Sequence, residues 1–503
     1  MPICCASCQA IALESNCETE SVELLMLDRI LGLSAMLSLS WAAAHAEDCG
    51  HLARLKLDHV LITSAEAVPA GAPTASPNGD ALPAAKAAYC RIRGTSKPST
   101  DSDIRFELWI PSGSGWNGKF EQVGNGGFAG SIPYRMMARV LSLGYAVAGT
   151  DDGHQSSDSI DARWALNHPE KVKDYGWRAI DETAVASKHI LRTLTSRAPA
   201  KSYFVGCSDG GREALMMAQR FPTYFDGIIA GAPAYAMTRL LTGGALRSAE
   251  LGGTIDRLSA AELGLLQSRA LQSCGDGAGY LKDPRRCHID LEALKCTGAE
   301  TDSCLSEAPI NTARVIYAER KDPANGATLY GVLPGAEGLM GSWDAWLTGT
   351  DDKTPAAGIA FTWNYLAYMV MKDPKLDMSK VTNADLVRGE RTFGPVIDSN
   401  DANLSAFKSH GGKLIQYHGW NDPAIPPGYS LEYRERLAAK TGGVKDFYRL
   451  YMVPGMLHCG GGDAPTTVNW QAALEAWVEK AVAPVDLVAI DGKGATQTLQ
   501  PFE

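Results

Sequence analysis

Residues 206–210 of the chain read Gly-Cys-Ser-Asp-Gly, a pattern that can present a serine hydroxyl for nucleophilic attack. The preceding segment, 201–206, is typical of a strand, and the following segment, 212–220, is typical of a helix. A serine between a strand and a helix lies in a sharp turn, where flanking glycines remove side chains that would clash. The pattern therefore predicts Ser208 as a nucleophile. The alternative is a glycine-rich turn in which the serine has no catalytic role.

A serine hydroxyl needs a general base, and the base needs a carboxylate that orients it. When the serine lies in such a turn, the carboxylate and then the histidine follow it along the chain. His458 fits the base best, because it lies on a loop after a predicted strand and before three glycines. The other downstream histidines fit less well. His288 lies among cysteines, His410 precedes a polar turn, and His418 ends a strand, where packing is the favoured interpretation.

Asp422 is the predicted orienting carboxylate, because it lies just past a predicted strand and upstream of His458. Asp398 and Asp401 are rivals, but both precede that strand. A cap of the turn into Pro423 is the alternative role for Asp422.

The oxyanion of an acyl-transfer reaction needs backbone N–H donors close to the nucleophile. The residue after the nucleophile, Asp209, is predicted to supply one donor. Gly126 or Gly127, in an early glycine turn, is predicted to supply the other, since a bulky side chain there would block a carbonyl oxygen. This chemistry requires no cofactor and no metal, and the sequence predicts none.

Two cysteines adjoin the predicted catalytic residues: Cys207 precedes Ser208, and Cys459 follows His458. If the serine and the histidine meet, these cysteines lie close together, and in an oxidising compartment they should form a disulfide. Such a bond would hold the nucleophile and the base at a constant separation, which is the pre-organisation that proton transfer needs.

The first residues of the chain have the features of an export signal. Met26 opens a short segment with Arg29, followed by an apolar run over 30–41 and an Ala-x-Ala site at 44–46. The run is shorter than the roughly 20 residues that span a bilayer. We therefore expect residues 1–46 to be a leader, translation to begin at Met26, and the protein to be secreted or periplasmic. A buried N-terminal helix is the alternative.

Beyond this leader, the cysteines are even in number, which in an exported chain indicates disulfides. They are Cys49, Cys90, Cys207, Cys274, Cys287, Cys296, Cys304 and Cys459. A zinc site among the four at 274–304 is the alternative. It is less favoured, because that region holds no Cys-x-x-Cys pair and only one histidine, His288.

The order of predicted elements indicates an α/β-hydrolase fold with a mostly parallel sheet and a large lid insertion. The predicted strands are 104–110, which alternates as a half-buried strand does, 120–123, 145–148, 201–206, 227–230, 413–418 and 447–453; the helices are 181–194, 212–220 and 469–482. We expect a core formed by 47–234 and 393–503, because the last strands complete the first sheet, and a lid domain over 235–392.

Charge narrows the class of partner. The net charge is −10, and no run of Lys or Arg exceeds two residues, which argues against nucleic acid and against stable membrane association. With 45% hydrophobic and 21% charged residues, the composition is that of an ordinary globular protein.

Three segments together resemble the tannase and feruloyl esterase family, which also contains the mono(hydroxyethyl) terephthalate hydrolases. They read Gly-Cys-Ser-Asp-Gly-Gly-Arg, Tyr-His-Gly-Trp-Asn-Asp-Pro and Pro-Gly-Met-Leu-His-Cys-Gly-Gly-Gly. The resemblance covers essentially the whole mature chain, including 124–130 and 150–154. It implies hydrolysis of small esters of aromatic acids, with a lid that shapes the acid pocket. It also implies the disulfides Cys49–Cys90, Cys274–Cys287 and Cys296–Cys304 beside Cys207–Cys459.

The resemblance is incomplete at one point. Lids of this family commonly hold calcium in an Asp-rich loop after the first lid cysteine, but residues 274–281 retain only Asp276 of the usual carboxylates. A hard cation needs six or more oxygen ligands, so we expect calcium binding to be weak or absent.

Substrate-binding residues are not assigned by the sequence. The lid aromatics Trp343, Trp346, Phe361, Trp363 and Tyr365 are as typical of a core as of an aryl site, and no Arg or Lys is identified as a partner for a substrate carboxylate. There are two other interpretations: the chain is a hydrolase-fold protein that only binds aryl ligands, or it is a lipase or a peptidase. The first predicts an incomplete triad.

Overall fold

A nine-stranded sheet organises the chain in the structure, a computed structural model that describes residues 49–72, 74–75, 81–82, 84–252, 257–349 and 355–503. The expected leader at 1–46, with its start at Met26, lies outside the described residues. Among the residues that are described, no helix is both long enough and apolar enough to cross a bilayer.

The sheet combines an antiparallel edge with a parallel majority. Its strands are β1 Val60–Val68, β2 Tyr89–Ser96, β3 Ile104–Pro111, β4 Lys119–Val123, β5 Ala146–Thr150, β6 Lys201–Cys207, β7 Gly227–Gly231, β8 Lys413–Gly419 and β9 Tyr448–Val453. Their order is β1-β2-β3-β5-β4-β6-β7-β8-β9. β1, β2 and β3 pair in antiparallel fashion, as do β3 and β5, whereas the strands from β5 to β9 run parallel. This is the mostly parallel α/β fold that the sequence predicts.

Helices cover both faces of this sheet, and further helices belong to the segment between β7 and β8. In chain order the helices are α1 Tyr134–Leu141, α2 Pro169–Lys173, α3 Ala179–Thr195, α4 Asp209–Arg220, α5 Met237–Glu250, α6 Ala260–Cys274, α7 Glu307–Tyr317, α8 Ala357–Asn364, α9 Asn383–Ile397, α10 Ser405–Ser409, α11 Gly428–Thr441 and α12 Trp470–Lys480. Helix α4 begins directly after Ser208 rather than at residue 212 as expected. The first turn of α4, whose first N–H groups have no partner within the helix, is therefore adjacent to the serine.

β3 is not the half-buried strand that its alternating sequence predicts. Phe106 and Leu108 lie in the apolar core on one face of the sheet, and Trp109 lies in the core on the other face. Only Arg105 of this strand is exposed. Alternation predicts one solvent-exposed face, but helix α3 packs on the face of Phe106 and Leu108 and helix α1 packs on the face of Trp109, so both faces of β3 are covered.

In the described part of the chain, residues 232–412 add no strand to the nine-stranded sheet. This segment has a small apolar core of its own, which includes Leu263, Leu266, Ile316 and Trp343. The boundary expected at residue 392 falls inside helix α9, which runs from 383 to 397 and buries Leu386 in the main core. The described residues from 49 to 503 belong to one compact unit.

Four disulfides are present among the residues that the structure describes. They join Cys49 to Cys90, Cys207 to Cys459, Cys274 to Cys287 and Cys296 to Cys304, which are the pairings that the family resemblance implies. The cysteines at 274–304 are therefore disulfide-bonded and are not free to bind zinc as thiolates.

Candidate active site

Ser208 lies at the tip of the turn between β6 and α4, with φ 65° and ψ −120°. A non-glycine residue rarely adopts this backbone conformation, and a serine nucleophile in a strand–turn–helix is one place where it is found. The flanking glycines allow the turn to close. A Cβ on Gly206 would lie 2.3 Å from the carbonyl oxygen of Gly210, and a Cβ on Gly210 would lie 2.7 Å from that of Asn125. Substitution of either glycine would force the turn open.

His458 and Asp422 form a hydrogen-bonded pair, with 2.8 Å between His458 Nδ1 and Asp422 Oδ2. The carboxylate is fully buried, and its other oxygen accepts the backbone N–H groups of Ala424 and Ile425, both at 2.9 Å. Asp422 therefore caps the turn after β8 and also binds the imidazole. The two roles considered for it use different oxygens.

Burial alone would raise the pKa of Asp422. The charge of His458 and the hydrogen bonds from His418 and His458 outweigh burial and hold the pKa of Asp422 well below its ordinary value. The group next to the imidazole is therefore an anion throughout the neutral range, as an orienting carboxylate must be.

Ser208 and His458 line one cavity of about 700 Å³. The disulfide between their neighbours, Cys207 and Cys459, joins the end of β6 to the loop after β9 with 5.9 Å between Cα atoms. Asp422 follows β8 at the same edge of the sheet. The structure thus brings all three predicted catalytic residues to the carboxyl ends of three parallel strands.

The predicted oxyanion-hole residues Asp209, Gly126 and Gly127 line the same cavity. Gly127 has φ 61°, and a Cβ there would lie 2.5 Å from the carbonyl oxygen of Ser159, so the position requires glycine. The turn is tied to the nucleophile's helix, because Gly210 N donates to Asn125 O at 2.8 Å. These contacts hold the backbone amides of both segments around the space next to Ser208.

The side chain of Asp209 is bound to other buried side chains. Its carboxylate accepts from Arg212 Nε at 2.5 Å and from the Tyr175 hydroxyl at 2.9 Å, and both Asp209 and Arg212 are buried. Arg212 also donates to the carbonyl oxygens of Gly176 and Ile397. Asp209 can therefore offer the site its backbone N–H, while its charge is neutralised inside the core.

Two further carboxyl groups lie beneath the turn. Glu213 Oε2 accepts the backbone N–H of Asn125 at 2.9 Å, which anchors the glycine turn to α4. Burial, followed by the charge of Asp209, raises the pKa of Glu213 to about 7, and burial together with Glu213 raises that of Asp152. Because like charges close to one another disfavour double ionisation, ionisation of one of these two carboxyl groups disfavours ionisation of the other.

His418 contacts the triad, although its strand-end position favours simple packing. Ser430 Oγ accepts from Gln416 Nε2 at 2.7 Å, so its own hydrogen is available to His418 Nδ1, also at 2.7 Å. This places the ring hydrogen on Nε2, which lies 2.9 Å from Ile425 O and 3.2 Å from Asp422 Oδ2. Sequence reasoning missed this role, and the His-Gly-x-x-Asp spacing is the signal that could have found it.

The state of Asp422 leads to a testable pH dependence. Because its pKa is depressed, we expect Asp422 to stay ionised as the pH falls from 7 to 4, so its protonation should not contribute to the pH profile of log kcat/KM in this range. His418→Phe removes a hydrogen bond that favours the ionised carboxylate, so the pKa of Asp422 should rise and log kcat/KM should fall more steeply toward pH 4 than in the wild type. Initial rates across this range, with recovery on return to pH 7, measure both profiles. A His418→Phe profile that coincides with that of the wild type would contradict the role assigned to His418.

Two of the five lid aromatics line the cavity. The Trp346 ring lies 5.1 Å from the His458 ring, and Phe361 stacks on Trp346 with 6.2 Å between centroids. By contrast, Trp343 and Tyr365 are buried in apolar cores, and Trp363 donates to Leu376 O. The cavity lining also includes Arg247, which sequence reasoning did not single out.

Comparisons with known proteins give consistent matches. A family model described as tannase and feruloyl esterase matches residues 90–500. An uncharacterised esterase from Xanthomonas campestris is 39% identical, over 91% of this chain and 86% of the relative. A probable feruloyl esterase B-2 from Neosartorya fischeri is 30% identical, over 90% and 91%. The solved structure of feruloyl esterase B from Aspergillus oryzae superposes with a TM-score of 0.81 at 26% identity, over 91% of this chain and 96% of that one.

Proposed function

Because the chain belongs to the tannase and feruloyl esterase family of carboxylic ester hydrolases, we propose that it cleaves esters of aromatic acids through an acyl-enzyme on Ser208. The observation that carries the mechanism is the 2.8 Å contact between His458 Nδ1 and Asp422 Oδ2 in the cavity that Ser208 also lines. An imidazole oriented by an anion next to a serine in a strained turn is the arrangement that acyl transfer needs.

In the proposed reaction, His458 Nε2 accepts the Ser208 proton while Oγ attacks the ester carbonyl carbon. The carbonyl oxygen becomes an oxyanion, which accepts hydrogen bonds from the backbone N–H of Asp209 and of Gly126 or Gly127. Collapse of this intermediate breaks the ester C–O bond, and His458 returns the proton to the departing alkoxide. His458 then deprotonates a water that attacks the acyl carbon, and the acid leaves as Ser208 regains its proton.

An aromatic acyl group is favoured by the walls of the cavity. Trp346, Phe361 and Phe128 form a series of contacting rings, with 5.3 Å between the centroids of Phe128 and Phe361. Ring faces and edges of this kind pack well against a planar aryl acid. The relatives named feruloyl esterase support the same substrate class.

The same proposal includes export and independence from calcium. Four disulfides among the described residues are typical of an oxidising compartment, and the expected leader would direct the chain there, to the periplasm or outside the cell. The 274–281 stretch does not fit calcium. Its Asp276 is exposed and binds Lys282 Nζ at 2.6 Å, and no second carboxylate accompanies it there.

A panel of esters tests the proposed function. Wild type and Ser208→Ala are compared on methyl ferulate, methyl gallate, mono(hydroxyethyl) terephthalate and p-nitrophenyl acetate. We expect at least one aryl acid ester to reach a kcat/KM comparable to that of the acetate, although the acetate has the better leaving group, since the rings favour an aromatic acyl group. Equal turnover by the two proteins would reject the catalytic assignment. Turnover of the acetate alone would reject the aromatic substrate class.

A further inference from the structure

Helix α5 presents one face to the active-site cavity. Met237, Leu241, Gly244 and Arg247 recur at helical spacing, and all four line the cavity. The wall that α5 forms is therefore apolar for most of its length and carries a guanidinium near its C-terminal end.

Arg247 has no carboxylate partner among the residues that the structure describes. Glu250, one turn further along α5, is held by Arg320, with 2.7 Å from Nε to Oε1 and 2.5 Å from Nη2 to Oε2. Two guanidinium groups therefore share a neighbourhood with one carboxylate, which leaves an excess positive charge. Burial first, and then the charge of Arg320, lower the pKa of Arg247 to about 10, so the side chain remains a cation at neutral pH.

The other charged side chains among the described cavity-lining residues have partners. The carboxylate of Asp209 is neutralised by Arg212, and His458 is bonded to Asp422. Partly desolvating a cation without a counter-ion is unfavourable, and a ligand anion that accepts a charge-assisted hydrogen bond restores the lost interaction. Arg247 is therefore suited to form an ion pair with an anionic group of the substrate.

The position of the cation along α5 indicates which end of a substrate it meets. The Tyr175 hydroxyl contacts both Met237 Sδ, at 3.2 Å, and Asp209, so the N-terminal end of α5 lies by the nucleophile's helix. The Cα of Arg247 lies about 15 Å further along the axis, and its side chain points back toward the N-terminus. The guanidinium is therefore displaced along the cavity from the nucleophile's helix.

We propose that Arg247 selects ester substrates that carry a carboxylate at the end of the molecule remote from the scissile bond. This inference rests on the proposed esterase function and narrows its substrate class to anionic aryl esters. The carboxylate belongs either to the aromatic acid or to the alcohol, and the same guanidinium chemistry recognises both.

Matched esters and matched arginine variants test this selectivity. Monomethyl terephthalate, which carries its carboxylate on the acid, is compared with neutral methyl 4-methylbenzoate. Carboxymethyl benzoate, which carries it on the alcohol, is compared with neutral ethyl benzoate. The proteins are the wild type, Arg247→Met, Arg247→Lys and, as a control for net charge, Arg54→Met, which changes an exposed arginine outside the cavity lining.

We expect Arg247→Met to lower kcat/KM for at least one anionic ester about 10- to 100-fold while changing its neutral counterpart less than about three-fold. Arg247→Lys should fall between, because lysine keeps the charge but loses the bidentate geometry. Arg54→Met should match the wild type. Turnover of the neutral esters shows that each variant is folded, and the pair that responds identifies whether acid or alcohol carries the anion.

The inference is overturned if Arg247→Met lowers anionic and neutral esters equally, or leaves both unchanged, while the wild type hydrolyses neutral aryl esters; the proposed function then stands. Calorimetric binding of monomethyl terephthalate and carboxymethyl benzoate to Ser208→Ala, with and without Arg247→Met, separates the opposite case. If the protein had no aryl esterase activity but bound either ester, and if this binding were lost with Arg247→Met, the anion site would be supported and the proposed function would be rejected.

Discussion

Alanine at Ser208 and alanine at His458 should each lower kcat for aryl ester hydrolysis by about 10⁵-fold, and the double variant should be no slower than either single variant. Without His458 the serine keeps its proton and cannot attack, and without Ser208 the imidazole has no nucleophile to activate. The two residues therefore act as one unit, so their effects do not add.

Single-turnover rates with an ester that has a fluorescent alcohol measure this loss, and thermal unfolding verifies that each variant is folded. Ser131→Ala, which changes another cavity-lining serine, and His288→Ala, which changes an exposed histidine, are matched controls and should stay within about three-fold of the wild type. Losses that multiply in the double variant would mean that Ser208 and His458 act independently, which is incompatible with a shared proton transfer.

Removing the bond between Cys207 and Cys459 should reduce both stability and rate. This disulfide closes a loop, because its two cysteines have a sequence separation of 252 residues. In the chain-entropy model, a cross-link over that length stabilises the fold by about 5 kcal/mol. It also joins the turn of Ser208 to the loop of His458, and displacement of a reacting group by about 1 Å can slow a reaction about 10²-fold. We expect Cys207→Ala with Cys459→Ala to unfold at lower denaturant and to lose about 10- to 100-fold in kcat.

The control for this prediction is the double alanine variant of Cys296 and Cys304, a pair separated by 8 residues. The same model assigns that shorter loop about 2–3 kcal/mol, and neither cysteine lines the active-site cavity. Its kcat should remain that of the wild type. If the 207/459 variant lost stability but kept its full kcat below its unfolding transition, the bond would have no part in positioning the base.

The local segments around the triad were readable from the sequence because short-range sterics decide them. A serine between Gly206 and Gly210 after a strand can form only a tight turn, and the order serine, aspartate, histidine restricts the candidates for base and carboxylate. Cys207 and Cys459 added an independent constraint, since adjacent residues must converge if their neighbours do. The parallel core followed from the order of strands and helices.

Burial and side-chain partners were not readable, because they depend on what the rest of the chain places nearby. The pattern of β3 indicated one wet face, but helices cover both. His418 has the pattern of a packed strand end, yet it binds Asp422 through a hydrogen-bond series that begins with Gln416 and Ser430. Nothing in the sequence distinguished the five lid aromatics from one another. In the structure, Trp346 and Phe361 line the cavity, and the other three pack elsewhere.

The amino-acid sequence by itself determined which residues are candidates for nucleophile, base and carboxylate, because the motifs that mark these candidates and the glycines around them are local properties. Only the tertiary structure decided where charge is left without a partner. Arg247 and Arg320 are far apart along the chain, and it is their common neighbour Glu250, bound to Arg320 alone, that leaves Arg247 facing the cavity as a cation. The electrostatic balance at a side chain depends on every charge close to it in space, including charges that are distant along the chain. The sequence alone does not show which charges are close.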